Sequence, residues 1–201
     1  MKSLGLAILT AFILYGCASA LNVKNAENHA QAGYAAQRNG DWQNSMRQFA
    51  QAVVNADLGD ADPQGKSIVN YEYGRSLGVL CKYEDAEKYL LRSKELKEQL
   101  GLSPYLALYE LGLLSETQGK YPAAAIYFAQ LIPEMKKEGL QSRYPLGVAD
   151  AYDRYATALE KTGKTTEASG QRKEASAIRA ANPDAKAFGA LTPYGTQCAN
   201  S

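Results

Sequence analysis

The chain has 201 residues, with 22 Lys and Arg against 21 Asp and Glu, enough for one ordinary domain with a continuous core and too short for two large ones. The formal net charge is +1, and Lys2 lies in a segment read below as removed, so the remainder is neutral. That excludes the basic footprint of a nucleic-acid binder.

The chain opens as an export signal: Lys2 is the positive start, residues 4–14 are an almost uninterrupted apolar run, and Gly16 is a small residue ahead of Cys17. The run is about half of the roughly 20 residues that a membrane-spanning helix needs. Leu14-Tyr15-Gly16-Cys17 resembles the bacterial lipobox. The resemblance implies cleavage after residue 16, acylation (palmitate among the chains) of Cys17 as the first mature residue, and a lipid anchor. Each buried methylene adds about 0.8 kcal/mol to such an anchor. Ala18 in place of an aspartate implies the outer membrane, with the domain facing the periplasm. The competing reading is an ordinary secretory signal in which Cys17 is incidental. Residues 17–24 are expected as a lipidated linker.

From residue 25 the composition becomes amphipathic and rich in Ala, Leu, Tyr, Glu and Lys, with no alternating β-branched run. The expected fold class is all-α. Four short turns recur about every 40 residues, the range of helix-pair solenoids. Each is followed by a small residue: Asn39-Gly40-Asp41-Trp42 leads to Ser45, Cys81-Lys82-Tyr83 to Ala86, Gln118-Gly119-Lys120-Tyr121 to Ala124, and Thr162-Gly163-Lys164-Thr165 to Ala168.

Around these anchors the chain resembles the tetratricopeptide repeat (TPR). The third unit carries Leu108, Leu111-Gly112, Gly119, Tyr121, Ala124 and Phe128; the first carries His29, Ala32-Gly33, Gly40, Trp42, Ser45 and Phe49. The second has Asn70, Tyr73-Gly74, Tyr83, Ala86 and Leu90, with Cys81 replacing the turn glycine. The fourth has Tyr152, Tyr155-Ala156, Gly163, Ala168 and Ala175, but Arg172 where an aromatic belongs. The resemblance implies a right-handed solenoid of about four helix pairs over residues 25–182, in units 25–58, 66–101, 104–138 and 146–182. Gly33, Gly74 and Gly112 stand mid-helix, where glycine costs about 1 kcal/mol against alanine, so each is expected to admit a close partner helix. Units longer than the usual 34 or so residues imply longer second helices or linkers. Residues 57–65 and 136–145 are expected as loops.

Residues 183–201 lose helical period and form a tail. Its apolar Phe188, Leu191 and Tyr194 leave two readings open, an exposed tail or one that docks on the solenoid, secured by Cys198. Cys81 and Cys198 are a candidate disulfide in an oxidising compartment; equally, Cys81 suits a small buried apolar position.

Chemistry-bearing patterns are few. His29 is the one histidine, which removes most metal and nucleophile–base arrangements, and it occupies a packing position of the first repeat. The loop Asp57-Leu58-Gly59-Asp60-Ala61-Asp62-Pro63 lacks the order of an EF-hand, with Ile68 or Tyr71 where a bidentate glutamate would stand; turn chemistry accounts for it. Asp150, Asp153 and Glu160 form an acidic stripe, read as solvated or partner-facing. Neither metal, cofactor nor catalytic residue is expected.

In the family resembled, first helices line a groove that holds segments of partner proteins. The implied lining is Tyr34, Gln37 and Arg38; Tyr71, Arg75 and Val79; Tyr109, Leu113 and Glu116; and Asp153, Thr157 and Glu160. Tyr and Arg bury much area at little entropic cost. The expected function is a non-catalytic, lipid-anchored scaffold for envelope proteins, assisting a pilus, secretion or outer-membrane assembly. An adaptor for a periplasmic hydrolase and an enzyme are the alternatives. A polar stretch at 171–181 could cap the array and favours a monomer.

Overall fold

The computed structural model describes residues 3–186 and 191–198, with side chains from residue 19 onward; the side chains of the signal segment, Cys17 and Phe188 lie outside the described residues. The nine helices there are α1 (Ser3–Arg38), α2 (Trp42–Leu58), α3 (Pro63–Val79), α4 (Tyr83–Gln99), α5 (Tyr105–Thr117), α6 (Tyr121–Lys137), α7 (Leu140–Arg143), α8 (Pro145–Lys161) and α9 (Thr165–Ala181). They pack as four pairs, α1 with α2, α3 with α4, α5 with α6 and α8 with α9, each second helix leaning on the next first helix. The result is a helix-pair solenoid.

Local chemistry sets the boundaries. Asp41 caps α2 by accepting from the Asn44 amide at 3.0 Å, and Asp62 caps α3 by accepting from Gly65 at 2.9 Å, with Pro63 in the first turn. The acidic loop is therefore a cap and turn, and its Asp60 lies 3.2 Å from the Lys66 ammonium. First helices end at left-handed residues: Gly40, Gly119 and Gly163 have φ of 72°, 68° and 81°, and Cys81 takes the same conformation at 63°. A left-handed non-glycine residue is uncommon, so Cys81 holds a position where the other units use glycine.

The mid-helix glycines pack as their spacing predicts. A Cβ on Gly33 would lie 2.6 Å from the Phe49 ring, one on Gly112 2.6 Å from the Phe128 ring, and one on Gly74 2.8 Å from Leu90 Cγ. Each glycine thus faces the bulky residue of the second helix, four positions beyond the repeat's small residue. Phe49, Leu90 and Phe128 are fully buried. In the last pair, Ala156 and Ala168 are buried without such a residue. Arg172 projects outward to Glu160, its Nε 2.8 Å from the carboxylate.

Three features differ from the sequence reading. Residues 17–24, expected as a linker, continue α1; Ser19 donates to the Gly59 carbonyl at 2.6 Å, and Val23 packs against Gly59, so this part of α1 is seated on the end of α2. The extra repeat length lies in first helices as well as second ones, since α3 and α8 also have 17 residues. The expected loop 136–145 includes the short α7, pinned by buried Leu140. Among the described residues no helix is long and apolar enough to cross a membrane.

Candidate interaction face

The first helices are linked by side chains spaced one repeat apart. Gln37 of α1 donates to Glu72 of α3 at 3.0 Å, Tyr71 of α3 donates to Glu110 of α5 at 3.2 Å, and Tyr109 of α5 donates to Asp150 of α8 at 2.8 Å. Arg75 holds Glu72 at 2.8 Å and lies 3.3 Å from Glu110; Arg154 holds Asp150 at 2.9 Å and Glu116 at 2.6 Å. Burial pushes the Glu110 carboxyl above its ordinary range, against the opposing pull of Arg75. The Tyr71 and Tyr109 phenols are raised by burial and then by their carboxylate partners, and Tyr34 is pushed up to about 12 by burial and by Glu72. The rings therefore stay neutral hydrogen-bond donors throughout the physiological range.

The tail crosses this face. Thr192 Oγ1 accepts from Arg75 Nε at 2.9 Å and donates to Glu110 at 2.9 Å. Tyr194 is buried against Gly78 and Leu114, where a Cβ on Gly78 would clash with the ring, 2.6 Å from Tyr194 Cδ1 and 2.9 Å from Leu114 Cδ1. The Gln197 amide donates to the Val79 carbonyl at 3.2 Å, and its side chain donates to the Gly40 carbonyl at 3.3 Å. Cys198 is disulfide-bonded to Cys81, with Cα atoms 5.1 Å apart.

Beside the tail is a cleft of about 650 Å³ among α3, α5, α6, α7, α8 and α9, lined by Tyr71, Arg75, Tyr105, Leu106, Tyr109, Glu110, Met135, Leu140, Tyr144, Leu146, Gly147, Asp150, Arg179 and, from the tail, Leu191 and Thr192. Its size falls within the range of ligand sites, as does its lining, predominantly apolar and aromatic with a few polar groups. Leu106 and Leu191 remain almost half exposed at its edge.

The twelve sequence-predicted lining residues divide accordingly. Tyr71, Arg75 and Tyr109 line the cleft. Leu113 and Glu116 lie beside the tail, Leu113 buried. Val79 is not a lining side chain: it is fully buried, and only its carbonyl reaches the tail. Gln37 is committed to Glu72, Tyr34 packs edge-on to Phe49 with centroids 5.2 Å apart, and Arg38 is exposed at the end of α1. Asp153, Thr157 and Glu160 face α9, where Arg179 reaches Asp153 at 2.6 Å and Arg172 reaches Thr157 at 3.3 Å and Glu160 at 2.8 Å. The acidic stripe is thus neutralised in place. His29 lies 2.9 Å from the Gln48 side chain.

Glu110, Thr192, Tyr105 and Gly78 were absent from the sequence-derived lining. Glu110 had a legible signal, a lone carboxylate inside the apolar segment Leu106 to Leu114; Gly78 had one too, a second helical glycine outside the repeat pattern. Among the described residues no group of three or more His, Cys, Asp or Glu side chains is placed to hold a metal ion.

These features define a TPR-like helical-repeat protein with a face built from first helices. No protein-family model and no curated protein matches the chain. Solved structures with the same fold include BtubC (BKLC) from P. vanneervenii, at 14% identity, TM-score 0.72, covering 83% of this chain and 67% of that one. MamA is similar at 19% identity and TM-score 0.65, over 80% of this chain and 82% of that one. A kinesin light chain from Podosopora anserina with TPR-like repeats matches at 17% identity and TM-score 0.65, over 80% and 77%.

Proposed function

We propose that the chain is a non-catalytic interaction scaffold, lipid-anchored through Cys17 at the outer membrane and facing the periplasm, where it holds protein segments of an envelope assembly. The observation that carries this reading is the aromatic cleft on the first-helix face, with Tyr71, Tyr105 and Tyr109 as rigid walls and partly exposed Leu106 and Leu191 at its edge. Rings with a polar edge are favoured anchors for protein partners. The charged side chains nearby are already paired, so the cleft favours apolar anchors over charged ones. Against catalysis stand the neutralised acidic stripe and a histidine engaged with Gln48. The anchor rests on Leu14-Tyr15-Gly16-Cys17 and its likeness to a lipobox.

The test is affinity capture from detergent-solubilised envelopes, with wild type beside Cys17→Ala and Tyr105→Ala/Tyr109→Ala, and bound proteins identified by mass spectrometry. The reading predicts a defined set of envelope proteins, lost with the tyrosine pair, and release of Cys17→Ala from the membrane fraction. Capture unaffected by the tyrosine pair would remove the cleft from the function; Cys17→Ala remaining in the membrane fraction would remove the lipid anchor.

A further inference from the structure

The tail is bound as a peptide ligand would be. Residues 191–197 are uncharged, and their contacts use an apolar socket, one hydroxyl between the half-buried Arg75 and the buried Glu110, and hydrogen bonds to backbone carbonyls. Thr192 serves Arg75 and Glu110 simultaneously, accepting from one and donating to the other. Two residues on, the Tyr194 ring fills space that exists only because residue 78 has no side chain. A helical glycine costs about 1 kcal/mol against alanine, so α3 gives up stability where the ring sits. The socket and Cys81 belong to the second repeat, while the occupant lies 117 residues further on at Cys198.

We infer that this socket is a recognition site for an extended, uncharged protein segment bearing a hydroxyl residue two positions before a tyrosine, and that the tail is its occupant in cis, held by the Cys81–Cys198 bond. The inference rests on the scaffold reading and gives that scaffold a second, closed site. Opening requires a dithiol reductant. One of its thiolates attacks the exposed sulfur of Cys198, Cys81 departs as a thiolate and takes a proton, and the reductant's second thiol resolves the mixed disulfide. The net change is two protein thiols and one oxidised reductant, with two electrons and two protons transferred. The freed tail stays tethered at a local concentration of about millimolar, so a partner segment must compete with it, and one that does so replaces its contacts one for one.

The probe is a fluorescein-labelled peptide of sequence Leu-Thr-Pro-Tyr-Gly-Thr-Gln, residues 191–197, followed by anisotropy with the full chain. No binding is expected to the oxidised protein, saturable binding to the dithiothreitol-reduced protein, and binding at least tenfold tighter to Tyr194→Ala/Cys198→Ser, whose tail no longer refills the socket. The same peptide with its tyrosine replaced by alanine is expected not to bind. Equal binding to oxidised and reduced protein would overturn the inference. So would absence of binding to reduced wild type and to the double variant while circular dichroism shows intact helix. If the double variant loses its helix, reduced wild type decides: excess peptide should accelerate alkylation of Cys198, and an unchanged rate overturns the inference. Envelope capture that persists unchanged on reduction, together with a failed peptide titration, would sink the closed site and leave the scaffold standing.

Discussion

Replacing Gly112 by alanine tests whether the first and second helices of a unit approach as closely as described. Two effects oppose each other. Alanine gains about 1 kcal/mol of helix propensity over glycine. Its Cβ, however, would lie 2.6 and 2.7 Å from two carbons of the Phe128 ring, where ordinary contact begins at 3.4 Å. Phe128 is fully buried in a core that, like protein interiors generally, is close-packed, so relieving the clash requires shifting α5 from α6. Overpacking of this kind costs about 1–3 kcal/mol, occasionally more. The clash outweighs the gain in propensity, and Gly112→Ala is expected to lose about 1–2 kcal/mol. For a chain of this size that lowers Tm by about 2–8 °C. Gly170 of α9 is the internal control, because a Cβ there meets nothing within 4 Å. Gly170→Ala keeps only the propensity gain and is expected to raise Tm by about 1–4 °C. Thermal melts by circular dichroism on both variants decide the matter. Shifts of the same sign, or a stabilised Gly112→Ala, would refute the packing argument.

Three other outcomes follow from the same contacts. Phe128→Ala leaves a cavity between α5 and α6 and is expected to cost about 3–5 kcal/mol, read as a fall in the urea midpoint. Reduction of Cys81–Cys198, which closes a 117-residue separation, is expected to cost about 2–4 kcal/mol while helical ellipticity at low temperature stays unchanged; a loss of helix would show that the disulfide holds the solenoid itself. Because burial raises the Glu110 carboxyl above 4.5, the folded chain retains a proton that the unfolded chain has lost in the window just above that value. Stability from this group therefore falls as pH rises through the window. Glu110→Gln should remove that part of the slope in Tm measured from pH 4 to 7, and an unchanged slope would assign it to other groups.

Repeats carry their own instructions in short segments. Gly112, Ala124 and Phe128 lie within one helix pair, and the geometry that joins them is set by a turn at Gly119 and by helical period. The all-helical solenoid, the turn positions and the close approach at Gly33, Gly74 and Gly112 were therefore legible from residue type and spacing. So was the shared face of Tyr71, Arg75 and Tyr109, whose side chains line the cleft. Tertiary structure decided what that stripe meets. Val79 shares the offset of groove residues yet is buried, and Asp153, Thr157 and Glu160 turn to α9 because Arg172 and Arg179 stand opposite.

The tail marks the boundary between the two. Its composition showed three large apolar residues, Phe188, Leu191 and Tyr194, and a cysteine in a segment without period, equally consistent with exposure and with docking. Nothing local ties Thr192 to Arg75 or Tyr194 to Gly78. Those pairs are separated by more than one hundred residues, and their energies exist only once α3 and α5 stand side by side with Glu110 between them. The sequence by itself determined the repeating units, because each is stabilised by contacts within some 40 residues; the folded chain alone decided that residues 191–198 cross the first-helix face beside the cleft, because those contacts join the tail to α3 and α5 and belong to no single unit.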